Sequence, residues 1–259
     1  MKSYLRALAF LTVIPLPFVR FEADGRELSQ AAVYFPLAGA TLGLALTGSA
    51  WLLLHLLPPA PVAVIALAAG FLLTRGLHLD GLADTADGLI GTTGREKAFK
   101  AMEDSATGVM GVVSILLVLL LKYALLAEAG AALILPALFF MPLAGRWAIV
   151  YSGTWFPPAK NEGLGDMFLR GLCLPVLLKA SLGAIIILAA AVWWQLHFLW
   201  PVLAGCALAL AAAHLLAFYA TKRLGGLNGD ILGASCELGE LFFLIGYFLL
   251  LQPEISVFL

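Results

Sequence analysis

The feature that most constrains this chain is a succession of long apolar runs with hardly a charge inside them. Seven can be marked, at about 30–57, 62–79, 108–127, 132–151, 174–194, 199–220 and 234–251. Each is roughly 18 to 28 residues long, enough to cross a hydrocarbon core of about 30 Å. Hydrocarbon offers no water to the backbone, so a crossing segment must pair its own N–H and C=O groups, and a helix does this within one segment. Composition agrees: 62% of the 259 residues are hydrophobic and 12% charged, with a mean hydropathy of +1.00, outside the range of soluble domains. The expectation is an all-α, polytopic integral membrane bundle of about seven transmembrane helices, forming one domain. A formal charge of −1 gives no case for nucleic acid. Cys173, Cys206 and Cys236 stand apart without a C-x-x-C pair and read as packing residues.

The connections carry the charge. Residues 2–13 suit an interfacial amphipathic helix, with Lys2 and Arg6 beside Tyr4, Leu5, Leu8 and Phe10. Pro15 and Pro17 interrupt that run and no A-x-A site follows, which argues against a cleaved signal peptide. Residues 18–28 read as a charged connector, and Pro58, Pro59 and Pro61 as a tight turn. Gly39, Gly43 and Gly48 would let the first span approach its neighbours closely. Polar loops are expected at about 75–107, 152–173 and 221–233. Counted along alternating sides, 14 of the 15 Lys and Arg residues fall with the N-terminus and these three loops, while Lys122 lies inside the third span. The positive-inside rule then puts the N-terminus and the three loops in the cytoplasm and the C-terminus outside, and implies an odd number of spans.

The three loops also hold the unusual polar chemistry. Asp80, Asp84 and Asp87 are spaced by four and three, which places them on one face of a helix within reach of a shared divalent cation. Carboxylates so close repel one another unless a cation joins them. No Lys is interleaved among them, unlike a salt-bridged surface helix, although a solvated acidic face at the membrane surface is the plainer alternative. Asp104 and Ser105 follow a short basic segment. The second loop adds Arg146 on its flank and the run Asn161-Glu162-Gly163-Leu164-Gly165-Asp166. The third adds Asn228 and Asp230, followed by Glu237 and Glu240 three apart on an otherwise apolar helix. An ionisable residue at membrane depth is costly and points to function, whereas at the interface it would not.

Carboxylates without thiols or clustered imidazoles favour Mg²⁺ or Mn²⁺. Such an ion on a pyrophosphate neutralises charge and orients an attacking oxygen in line with its leaving group. Glycine-rich turns let backbone amides approach phosphate oxygens. Arg146, Arg95 and Lys97 could meet phosphate, or could equally be positive-inside anchors. His78 alone among the four histidines lies near the acids; His55, His197 and His214 read as structural. There is no P-loop, G-x-S-x-G or dinucleotide-binding fingerprint. The residues therefore point to phosphoryl transfer at one membrane face. An ion transporter fits less well, because its acids would line broken helices near the midplane of related halves, and no repeat is found here. A purely structural membrane subunit would show no metal-dependent turnover.

Three motifs carry a resemblance. The run His78-Leu79-Asp80-Gly81-Leu82-Ala83-Asp84-Thr85-Ala86-Asp87-Gly88, the run Met102-Glu103-Asp104-Ser105-Ala106-Thr107-Gly108, and the series from Asn228-Gly229-Asp230 through Gly233, Ala234, Glu237 and Glu240 closely resemble the cobalamin synthase family. The resemblance extends over essentially the whole chain, including Leu11-Thr12, Ile14-Pro15 and Glu162-Gly163-Leu164-Gly165. This chain departs from the family at Glu103 and Val13, where a basic residue is common, and at Ala106, where Arg is frequent. The resemblance implies an adenosylcobinamide-GDP ribazoletransferase of the bacterial inner membrane. α-Ribazole, or its 5′-phosphate, would attack the cobinamide-side phosphorus and GMP would depart, with Mg²⁺ as cation. On that reading Asp80, Asp84, Asp87 and Asp104 bind metal. Asp84, Asp230 and Glu237 are catalytic, with Asp230 or Glu237 taking the ribazole proton. His78, Arg95, Ser105, Arg146, Asn228 and Glu240 contact substrate. Association with other enzymes of late B12 synthesis, or of the chain with itself, is compatible with the family and leaves no mark in the residues. A second, weaker resemblance is to CDP-alcohol phosphatidyltransferases. Asp84-Thr85-Ala86-Asp87-Gly88 matches their D-x-x-D-G opening, but Gly91-Thr92 stands where Ala-Arg is expected and the later paired aspartates are missing.

Overall fold

The computed structural model describes residues 2–14, 25–160, 164–193 and 196–251. All the regular elements among them are helical, with one isolated parallel bridge between Pro158 and Leu227. In order these are α1 (Lys2–Leu11), α2 (Gly25–Ala31), a 3₁₀ turn at Ala32–Tyr34, α3 (Phe35–Leu53), α4 (Pro59–Thr74), α5 (Leu77–Leu89) and α6 (Arg95–Met102). There follow α7 (Val109–Glu128), α8 (Gly130–Trp155), α9 (Leu164–Gly171), α10 (Leu174–Val192), a 3₁₀ turn at Leu196–Phe198, α11 (Leu199–Leu224) and α12 (Gly229–Leu249). Among the described residues six stretches are long and apolar enough to cross a bilayer, and α4 with α5 forms a pair bent by 89° that would make a seventh. The chain is an all-α, multi-pass membrane protein.

The bundle has an inside and an outside. Of their most apolar windows, 83% of α12 and 72% of α8 are buried by other helices, against 22% of α7 and 28% of α10. The central pair is therefore α8 and α12, and α7 and α10 turn Leu116, Leu120, Ile185 and Ile186 outward. Lipid tails are as apolar as leucine, so tight packing of small residues holds such helices together. The contact of α3 with α8 shows this: a Cβ added to Gly43 would collide with the Phe139 carbonyl oxygen, and one on Gly39 with that of Pro142. α8 runs unbroken through Pro136 and Pro142.

The expected loops are largely helical. Residues 75–107 fold mostly into α5 and α6, because the aspartates share a helical repeat and Gly94 sits before the basic turn of Arg95. In the second loop α8 extends to Trp155 and α9 starts at Leu164; Asn161, Glu162 and Gly163 lie outside the described residues, as do Pro15 and Pro17. The third loop shrinks to four residues, Gly225 to Asn228, since α12 begins at Gly229 instead of near Ala234. The Asn228 side chain caps that helix by accepting a 3.0 Å hydrogen bond from the Ile231 amide. Part of the charged connector at 18–28 is helical too, as α2.

The turn from α4 into α5 fixes where the aspartates go. Arg75 (φ 54°) and Gly76 (φ 67°) both take left-handed conformations, ending one helix and starting the next almost at right angles. α4 crosses the apolar layer, while α5 lies across the end of the bundle against the first turns of α7 and α12.

Candidate active site at one end of the bundle

Asp80, Asp84 and Asp87 do share one helix, α5, but they meet different surroundings. Asp87 is buried, and both its carboxylate oxygens accept backbone hydrogen bonds, from Gly108 at 2.7 Å and Gly111 at 2.9 Å. Its charge thus ties α5 to the start of α7, where exposed amides and the helix dipole favour an anion. Asp80 is exposed and Asp84 half-buried. Among the described residues neither forms an ion pair.

Asp230, in the first turn of α12, joins these two. A Cβ on Gly81 would stand 2.8 Å from the Asp230 carbonyl oxygen and 3.2 Å from the Gly233 Cα, so α5 and α12 touch backbone to backbone there. That contact sets Asp230 beside the stripe of Asp80 and Asp84. Asn228 donates a 2.7 Å hydrogen bond to Asp230 Oδ2, orienting the carboxylate while also capping its helix. Burial, followed by the charges of Asp230, Asp80 and Asp87, pushes the Asp84 carboxyl from its ordinary 3.8 up to about 6. Among the described residues, no three His, Cys, Asp or Glu side chains are gathered tightly enough to enclose an ion by themselves. Asp80, Asp84 and Asp230 repel one another without converging on a point. The donor set nevertheless fits Mg²⁺, which commonly takes only one or two protein carboxylates and fills its other positions with water and substrate phosphate.

The remaining expected site residues are dispersed. Asp104 is exposed and its Oδ1 accepts from the Ala106 amide at 3.0 Å within its own loop; Ser105 is exposed beside it. The Arg95 guanidinium donates to the Ala159 carbonyl at 2.7 Å, and Arg95 and Lys160 both lie over the Phe99 ring. Lys160 also pairs with Glu103, where the family commonly has a basic residue.

Glu237 and Glu240 are buried inside the bundle. They are 7% and 6% exposed, and Lys122 from the middle of α7 bridges them at 2.7 Å each. Arg146 of α8 pairs with Glu240 and also lies 3.3 Å from His78 Nδ1 at the start of α5. Two acids and two bases thus balance inside the bundle, and four helices meet on them. Sequence reasoning left Lys122 without a role. Its signal was present, since a lone lysine amid an apolar span has to find an acid. Breaking a buried pair from one side leaves an uncompensated charge and costs about 3–5 kcal/mol.

Two outcomes follow for purified protein in lipid. Lys122→Met should lower the thermal midpoint sharply, and adding Glu237→Gln to it should restore part of the loss; an unchanged midpoint in the single variant would refute the network's role. For Asp84, the folded chain holds more protons than the unfolded one between its ordinary pKa and about 6. With chelator present, stability should therefore fall as pH rises from about 4 through about 6. Asp84→Asn should flatten that slope, raising the midpoint at pH 7 while leaving it unchanged at pH 4, as followed by intrinsic fluorescence.

Comparison with known proteins gives the family. A family model described as cobalamin-5-phosphate synthase matches residues 3–248. A relative named adenosylcobinamide-GDP ribazoletransferase from Desulfitobacterium hafniense (strain Y51) is 39% identical over 260 residues, covering 98% of this chain and 99% of the relative. Proteins of the same name from Acetivibrio thermocellus (35% over 255 residues, 96% and 98% covered) and Roseiflexus sp. strain RS-1 (38% over 238 residues, 90% and 84% covered) are also similar. No solved structure matches. A match along nearly the whole chain, carrying the aspartate helix and the capped start of α12 with it, places this protein in the cobalamin-5-phosphate synthase family.

Proposed function

We propose that the chain is the membrane transferase that joins α-ribazole, or its 5′-phosphate, to the cobinamide phosphate of adenosylcobinamide-GDP. The products are GMP and adenosylcobalamin or its 5′-phosphate. The observation that carries this reading is the meeting of Asp80 and Asp84 of α5 with Asp230 of α12 across the Gly81 contact, in a chain with that family's sequence throughout. During transfer a ribazole hydroxyl oxygen bonds to the cobinamide-side phosphorus. The bond from that phosphorus to the bridging pyrophosphate oxygen breaks, and GMP leaves with the electron pair. The hydroxyl proton goes to a carboxylate.

Asp230 suits the proton acceptor. It is half-buried, reachable and held by Asn228. Glu237 is committed to Lys122 inside the bundle, and with Glu240, Arg146 and His78 it holds α5 in place instead of touching phosphate. Asp80 and Asp84 are the residues that would hold Mg²⁺. When bound, that ion supplies neutralisation of pyrophosphate charge and in-line alignment. Arg95 and Lys160, flanking Phe99, supply positive charge on the loop side. The distribution of Lys and Arg turns this end of the bundle toward the cytoplasm, where a nucleotide-activated substrate would arrive.

Turnover in lipid with adenosylcobinamide-GDP, α-ribazole and Mg²⁺ tests the proposal. GMP and corrinoid product should form in equal amounts, stop on addition of EDTA and resume with excess Mg²⁺. Asp84→Asn and Asp230→Asn should each lower kcat by about a hundredfold or more, and Asp230→Asn should leave KM close to wild type. Folded wild type that makes no product with either form of ribazole would reject the assignment.

A further inference from the structure

Two cavities flank α5. One, of about 980 Å³, is an open groove between α1, α4, α5 and α7, walled by residues such as Leu67, Phe71, Leu116 and Leu119. The other, of about 250 Å³, lies between α1, α3, α5, α9 and α12 and is lined by Phe10, Phe35 and Phe168. α5 is the main wall they share, and Phe10 of α1 lines both as well. Leu79 and Ala83, four apart, face the groove, and His78 and Gly81, three apart, face the smaller cavity. Leu77 and Asp80 line both; Asp84 lines neither, but stands one helical turn beyond Asp80 on the same face of α5. Asp230 lines only the smaller cavity.

The linings differ in kind. In the smaller cavity Phe10 stacks on Phe35 with centroids 6.1 Å apart and planes 16° from parallel, and Phe35 stacks on Phe168 at 5.9 Å and 24°. Phe35 is fully buried between the other two rings, so the outer rings, Phe10 and Phe168, are the ones that can offer an aromatic face to a flat heterocycle, for which offset stacking is favourable. The groove is large, aliphatic and edged with Arg75, Thr74, Thr107 and Thr12, which suits a bulky macrocycle with polar substituents at its rim.

We propose that α5 separates the two substrates: the aromatic base of the ribazole occupies the Phe10–Phe35–Phe168 cavity, and the corrin macrocycle occupies the groove. This rests on the transferase reading above. The arrangement brings the ribazole hydroxyl to Asp230 and the pyrophosphate to the Asp80–Asp84 ridge, from opposite sides of one helix. The transfer itself is the one already balanced: the ribazole oxygen bonds to phosphorus, GMP leaves, and the proton passes to Asp230.

The test varies each substrate separately, using full-length protein in lipid. Phe168→Ala removes a stacking ring. Gly165→Leu fills the smaller cavity from α9, where an added Cβ meets nothing closer than the Gly229 amide at 3.9 Å. Ala68→Trp fills the groove from an exposed position on α4. The first two should raise KM for α-ribazole about tenfold or more and leave that for adenosylcobinamide-GDP within about twofold, and Ala68→Trp should do the reverse. Equal effects on both substrates, or the opposite pattern, would overturn the division. So would a groove variant that changes neither KM, which would mean that lipid fills the groove. Direct binding of α-ribazole, followed by its benzimidazole fluorescence, needs no turnover. It should weaken in Phe168→Ala and persist in Ala68→Trp, and a reversed result refutes the division. Wild type that binds α-ribazole in this pattern but forms no GMP would overturn the transferase reading and leave the cavity assignment standing.

Discussion

The arrangement at the end of the bundle depends on a balanced set of charges buried below it. Lys122 holds Glu237 and Glu240, Arg146 holds Glu240, and Arg146 reaches His78. A single one of these charges in an apolar bundle would be prohibitive, and removing any one partner leaves the rest uncompensated. The set therefore works as a unit, and its members come from α5, α7, α8 and α12. Apolar contacts between these helices would tolerate sliding, since one methyl group resembles another. Ion pairs at 2.7 Å fix the helices in rotation and depth.

That fixed frame lets a short helix be presented across the bundle's end. α5 leaves α4 through two left-handed residues, crosses the first turns of α7 and α12, and is held at three places. His78 is linked to Arg146, Gly81 lies on the α12 backbone, and Asp87 is bound to the first amides of α7. Asp80 and Asp84 lie between those anchors without counter-charges of their own among the described residues. Three acids on one helical stripe so divide into one that builds the fold and two that remain available to a cation and a phosphate. Burial of Asp84, followed by repulsion from Asp230 and Asp80, raises its carboxyl and is a cost that the anchors offset.

A helix laid across the bundle also has two sides. Because α5 is only one helix thick, groups seated in the cavities on either side of it approach the same ridge of carboxylates. A two-substrate reaction in which a bulky corrinoid with a polar rim meets a flat aromatic nucleoside would gain from such a partition. Each partner would then be recognised by a different surface, with the reacting atoms converging where the surfaces join.

Much of this was legible in the residues. Long apolar runs can be satisfied only by helices in a bilayer, so class and approximate spans followed from backbone hydrogen bonding alone. The spacing of Asp80, Asp84 and Asp87 is a property of the helical repeat, and the family motifs along the chain identified the chemistry. The sequence could not say which carboxylate faces what, because that is decided by contacts between residues well separated in the chain. Lys122 meets Glu237 at a separation of 115 residues in a buried ion pair, and Asp87 is claimed by amides 21 and 24 residues onward. The polar stretches looked like loops because polarity usually marks exposure to water. In this protein α5, α6 and the start of α12 are polar and helical at once, and they pack against one another. The sequence by itself determined the helices, the membrane and the class of chemistry, all of which rest on local pattern. Only the tertiary structure decided which charges neutralise one another inside the bundle and which remain at its end to act.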